Sequence, residues 1–150
     1  MKKLDRAADS RFHLDQRFNK WGTVRQYARP VHGWIKAIRE ALGMTTGQLA
    51  DRMRVKQPSI VAMEQSEEKG SIELATLRRA AEALDCQLIY ALVPNKPLET
   101  MMRERARLFI RRRRAPVEHS MLLEDQKVSG DADVNLDKVI RETNPSLFWD

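Results

Sequence analysis

The chain has 150 residues, 42% of them hydrophobic, and carries 27 Lys and Arg against 21 Asp and Glu for a net charge of +6. That length holds one domain, or one small domain with appendages, and a single Cys86 excludes an intrachain disulfide and fits a reducing cytosol. No run approaches the roughly 20 apolar residues of a membrane span, and the charged N-terminus has no apolar export core, so a cytoplasmic location and no membrane partner are expected.

Placement of the charge is more informative than its size. Residues 1–33 hold eight basic and three acidic residues, 34–94 eight of each, 95–114 eight against two, and 115–150 three against eight. Basic flanks thus enclose a neutral centre, and the tail is acidic. Flanks of that sign attract polyphosphate and release its counterions.

Residues 5–21 read as a helix, with Leu14, Phe18 and Trp21 along one side and Gly22 as its stop. That stripe packs on the core or on a second subunit. Val24–Gly33 contains Arg25, Arg29 and Pro30, and the proline argues against a continuous helix. The stretch is either a surface linker or a basic extended arm able to enter a minor groove.

Trp34 to Leu84 is predicted to form four short helices, none stable alone, whose apolar stripes must meet. Trp34–Leu42 places Ile35, Ile38 and Leu42 on one face and ends at Gly43. In Thr45–Met53, Thr45 and Gln48 have the spacing of a capping box, while Leu49, Ala50 and Met53 face inward. A turn at Met53–Lys56 leads to Val55–Gln65, where Ile60, Met63 and Glu64 share a face and Pro58, Ala62 and Gln65 lie opposite. Two short helices at a steep angle across a tight turn describe a helix-turn-helix. Glu67-Glu68 is expected in the following loop, pointing away from DNA or paired with Lys69. The fourth helix, Leu74–Leu84, starts at Ser71 or Glu73.

The candidate DNA contacts follow from this geometry. Thr45 and Thr46 open a helix where hydroxyls and free N–H groups can hold a phosphate. Gln57 can pair bidentately with adenine, and Ser59 can reach a base edge or a phosphate. Pro58 and Ala62 cannot hydrogen-bond through their side chains and suit thymine methyls, so modest direct readout, an A/T preference and much shape reading are expected. Arg54, Lys56, Gln65 and Lys69 are candidate phosphate contacts.

Cys86–Val93 is apolar on both faces and ends at Pro94, the pattern of a strand. A lone strand cannot stand. Antiparallel pairing with the same strand of a second copy, giving a two-fold dimer, is the simplest solution; a partner from the N-terminal arm is the competing one. Pro97 opens a helix to about Arg113, with Leu98, Met101, Met102, Leu108 and Phe109 on its apolar side and Arg103, Arg105, Arg107 and Arg111–Arg114 on a cationic side. The cationic side docks on DNA phosphates, on the acidic tail or on an acidic partner. Val117–Lys127 reads as a helix, Ser129–Asp133 as a loop, and Leu136–Glu142 as a last short helix. Leu147-Phe148-Trp149 either plugs a groove of this protein or anchors a partner.

No catalytic constellation is visible. His13, His32 and His119 lie far apart, no Cys/His cluster has metal spacing, and no glycine loop cradles phosphate. Neither an enzyme nor a cofactor or metal requirement is expected.

The run from Ile35 to Leu84 resembles the Xre/Cro-type helix-turn-helix domain of phage repressors, on Arg39, Leu42-Gly43, Leu49-Ala50, Val55, Ile60 and Glu64. The resemblance implies a mostly α, lambda-repressor-like fold with one short strand and helical extensions, divided as 1–33, 34–94 and 95–150. It implies an ion pair between Arg39 and Glu64, and DNA contacts at Thr46, Gln57, Pro58, Ser59 and Ala62. Pro58 and Ala62 depart from the polar residues frequent there. The segments GWIKAIREALGMT, TLRRAAEALDCQLIYALVP, VEHSMLLEDQ and LFWD are similar to the family called mobile mystery protein A, Xre-type bacterial regulators found beside a Fic-domain partner on mobile elements. That likeness strengthens the fold and suggests a context without supplying a mechanism; the leading expectation is a dimeric, sequence-specific double-stranded-DNA-binding transcriptional regulator that represses its own operon, its copies paired through 86–93. The alternative it implies is an antitoxin whose residues 95–150 bind the Fic-domain protein. The inhibitory signature of Fic antitoxins, Ser or Thr four residues before Glu followed by Gly or Asn, is absent. General nucleic-acid compaction through the basic flanks is a third reading.

Overall fold

The computed structural model describes residues 2–114 and 129–150. They form α1 (Lys2–Asn19), α2 (Trp34–Ala41), α3 (Thr46–Met53), α4 (Gln57–Lys69), α5 (Leu74–Ala83), α6 (Leu98–Arg114) and α7 (Ser129–Glu142), with 3-10 turns at Val24–Tyr27 and Pro145–Phe148. The fold is mostly α, as the periodicity requires. Contacts divide it into two compact units, Thr23–Leu92 and Met1–Gly22 with Val93–Asp150.

In the unit of residues 23–92, the four expected stripes meet. Ile35 of α2, Leu49, Ala50 and Met53 of α3, Ile60 of α4, and Ala80 and Leu84 at α5 are buried together. Thr45 caps α3 through the full capping box: its hydroxyl accepts from Gln48 N at 3.1 Å, and its own N–H donates to Gln48 Oε1 at 2.8 Å. At the C-termini, an N–H two or three residues past the helix returns to a carbonyl five residues back, in Met44 to Arg39, Val55 to Ala50, Ser71 to Ser66 and Cys86 to Ala81. This is the Schellman closure, which needs a left-handed residue. Gly43 and Gly70 supply it in two cases, Arg54 (φ 55°) and Asp85 (φ 56°) in the others.

Three expectations fail in this unit. Glu67 and Glu68 lie in the last turn of α4, not in a loop; no residue between Gln65 and Gly70 breaks the helix, and both acids have partners in the arm. Val24–Tyr27 coils as a 3-10 turn instead of extending, and Arg29 donates to the Glu67 and Glu68 carbonyls at the end of α4. A cation there suits the negative end of the helix dipole, so Arg29 is not free to enter a groove; the side chain of Arg25 lies outside the described residues. Finally, no strand occurs among the described residues. Residues 86–93 run without a ladder because the described part of the chain offers no second strand, and Ile89 and Leu92 are each 89% exposed.

The second unit pairs α1 with α6. Asp15 of α1 accepts from Leu98 N at 2.7 Å and Glu99 N at 3.1 Å, capping α6 from another helix, and Arg11 pairs with Glu99 at 3.0 Å. Met102 and Ala106 of α6, Leu136 of α7 and Phe148 form the core. Of the terminal Leu147-Phe148-Trp149, Phe148 plugs a groove of this chain, meeting Phe109 edge-on at 5.2 Å, while Leu147 and Trp149 stay exposed and Arg105 lies 4.9 Å over the Trp149 ring. Several arginines of α6 have partners within the chain although all but Arg103 are exposed: Arg103 pairs with Asp137 at 2.8 Å and Arg112 donates to the Asp150 carbonyl at 2.6 Å. The expected loop at Ser129–Asp133 is the start of α7. Once the Leu136–Ile140 stripe nucleates a helix, each added residue gains a backbone bond at little cost. The expected helix Val117–Lys127 lies outside the described residues.

Candidate nucleic-acid interface

A helix can present one face to a ligand only if its other face is anchored. The inner face of α4 carries Ile60, fully buried, and then two carboxylates one turn apart, Glu64 and Glu67, at 8% and 2% exposure. Buried carboxylates are costly unless paired, and both are paired to α2. Arg39 Nε reaches Glu64 Oε1 at 2.6 Å and Nη2 reaches Oε2 at 3.2 Å, while Nη1 donates to the Met44 carbonyl at 2.9 Å. The two-pronged geometry is the strong form of this pair. The bond to Glu64 outweighs burial and raises the Arg39 pKa, with the charges of Glu64 and Glu40 adding to it. Glu67 Oε1 and Oε2 accept from Trp34 N at 2.7 Å and Ile35 N at 2.9 Å. Next to it, Glu68 bonds His32 Nδ1 at 2.9 Å, which, with the charges of Lys36 and Arg29, lowers the Glu68 pKa.

With that face anchored, the outer face of α4 is open. Gln57, Pro58, Ala62 and Gln65 are exposed and Ser59 is half-buried. Pro58 sits in the first turn, where its missing N–H costs nothing. Gln57 Nε2 donates to Thr46 Oγ1 at 2.8 Å, so the first residue of α4 and the first residue of α3 form one polar cluster. Thr45 is exposed beside it, its hydroxyl already accepting the cap bond. Arg54 and Lys56 are exposed in the turn between the two helices. The structure therefore brings Thr45, Thr46, Arg54, Lys56, Gln57, Pro58 and Ser59 to one end of the two-helix element. Lys69 is exposed at the far end of α4, about 18 Å along the axis from Gln57 at 1.5 Å per residue.

Two residues escaped the sequence reading. Val61 is 42% exposed and shares the outer face with Pro58 and Ala62, at helical spacings of three and four, making a small apolar stripe. Its spacing from Pro58 was the available signal. Glu67 had none, because its partners are backbone N–H groups of a helix more than thirty residues away.

Among the described residues no helix is long and apolar enough to cross a membrane. No curated protein and no solved structure matches the chain. Residues 35–90, however, match the family model described as Helix-turn-helix, and the helices α2 to α5 within that stretch fold as such a domain.

Proposed function

We propose that the protein is a sequence-specific double-stranded-DNA-binding transcriptional regulator, a repressor of its own operon, that lays α4 in the major groove. The observation that carries this reading is the exposed Gln57–Thr46 cluster at the head of a helix whose opposite face is anchored by two buried carboxylates. Gln57 is the adenine reader, Pro58, Val61 and Ala62 face thymine methyls, and Arg54, Lys56, Gln65 and Lys69 with the Thr45 and Thr46 hydroxyls hold phosphates. Two copies bind two half-sites about one helical turn apart. The apolar stretch at 86–93, with Ile89, Tyr90 and Leu92 exposed, is the contact between them. The likeness to mobile mystery protein A supports an operon setting beside a Fic-domain gene. Neutralising that partner through residues 95–150 is the alternative; within the terminal Leu147-Phe148-Trp149, Phe148 is buried in the internal core, which leaves Leu147 and Trp149 for such a contact.

The test is a salt titration of the full chain with a duplex from upstream of its own gene and with a scrambled duplex. The upstream duplex is expected to bind at least ~10³-fold tighter, as specific sites do, with two chains per site. Gln57→Ala should lose about 1–3 kcal/mol on the upstream duplex alone. Equal affinity for both duplexes would leave only non-specific binding.

A further inference from the structure

We infer that Glu67 is a positioning residue for DNA recognition: its buried carboxylate bolts the last turn of α4 to the N-terminus of α2 and so fixes the angle at which α4 meets a duplex. The inference rests on the DNA-reading proposal above.

The N-terminus of α2 shows how much has been given up for this contact. A helix start is ordinarily capped by the residue before it, with Ser, Thr, Asp or Asn. Here that residue is Gly33, which offers no side-chain cap. A Cβ at Gly33 would stand 2.7 Å from Glu67 Oε2 and 2.8 Å from its Cδ, and φ is +89°. The position is thus cleared for a carboxylate arriving from another helix. That carboxylate takes both Trp34 N and Ile35 N, at the positive end of the α2 dipole. In return, the arm just ahead of α2 closes on α4: Arg29 donates to the Glu67 and Glu68 carbonyls, and His32 bonds Glu68. A local cap on α2 would stabilise that helix equally well. It would not join α2 to α4.

The join matters because one attachment leaves a helix free to pivot. Ile60 holds that face in the core through non-directional apolar contact; the Arg39–Glu64 pair is one directional attachment, and Glu67, three residues on and on the same face, is the second. Gln57 lies seven residues from Glu64, about 10 Å along the axis. A pivot of roughly 10° about the Arg39–Glu64 pair would then carry Gln57 by about 2 Å, far beyond the distance range of a hydrogen bond. Phosphate contacts through long flexible side chains would absorb such a shift. Base contacts through the short Gln57 side chain would not. Loss of Glu67 should therefore degrade discrimination between sequences while sparing non-specific affinity.

The experiment measures the affinity ratio between the upstream and scrambled duplexes for the full chain and for Glu67→Gln, Glu67→Ala and Gly33→Ala, with folding of each checked by circular dichroism at the assay temperature. Leu84→Ala, a core change outside α2 and α4, is the control for instability. The expected result is a ratio at least tenfold lower in the Glu67 and Gly33 variants, with unchanged scrambled-duplex affinity and salt slope, and an unchanged ratio in the control. Glu67→Gln keeps the volume and one acceptor, and Gly33→Ala keeps every other side chain, so a Glu67→Ala protein that fails to fold does not end the test. Folded variants that keep the parent's ratio, or a control that loses it equally, overturn the inference. A parent chain that itself shows no preference overturns the DNA-reading proposal instead.

Discussion

Arg39 and Glu64 show how much one side-chain pair contributes. Each is nearly enclosed, and the guanidinium also holds the Met44 carbonyl that starts the approach to α3. Glu64→Ala would strand Arg39, and Arg39→Ala would strand Glu64; either is expected to cost about 3–5 kcal/mol in urea unfolding. The double variant should cost less than the sum, since no charge is left stranded. The His32–Glu68 pair is different, because it lies at the surface. Hydrogen bonding to His32 holds the Glu68 pKa below its ordinary 4.5 in the folded chain. The folded state therefore favours ionised Glu68, a contribution present above the unfolded value and lost as pH falls through the folded one. Acid unfolding curves of the parent and of His32→Ala should diverge at neutral pH and converge below pH 4.5.

At the scale of an element, the helix ends decide where α3 stops and α4 starts. Arg54 adopts φ 55° to close α3, a conformation that a residue with a Cβ reaches only at a cost of about 1–2 kcal/mol. Glycine would remove that cost. Arg54→Gly is thus expected to raise the thermal midpoint of the chain while weakening binding to all duplexes alike, through the loss of one phosphate contact. Asp85 closes α5 in the same way, at φ 56°, and Asp85→Gly should raise the midpoint with no effect on DNA. The pair of substitutions separates strain relief, common to both, from the charge that only Arg54 would bring to the proposed interface.

For the whole molecule, the two cores share no residue: one is built on Leu49 and Ile60, the other on Leu136 and Phe148. Phe148→Ala should cost about 3–5 kcal/mol in the unit that holds it. Hydrogen exchange is the measurement that localises the damage: protection is expected to fall at Met102 and Ala106 while the amides of α4 keep theirs. Equal loss in both units would show that they unfold as one.

Much of the helix-turn-helix was legible in the sequence because its signals are short-range. The Thr45–Gln48 box, the stop at Gly43 and the stripe through Ile60 and Met63 all lie within a few residues of the structure they set. The terminal LFWD motif signalled a contact by composition, though not that Phe148 alone of it would be buried nor the groove it would fill. What sequence could not disclose is which helix each face would meet. Glu67 read as a loop acid and nothing marked Asp15, yet each caps the N-terminus of a distant helix. The apolar pattern of α1 likewise did not name α6 as its partner. Periodicity specifies that a face is buried; only the packed chain decides against what, since a backbone N–H at a helix start carries no residue-type signature and any carboxylate brought within reach can satisfy it. The helices of this unit were thus set by local chemistry, and the angle of α4 by tertiary contacts alone.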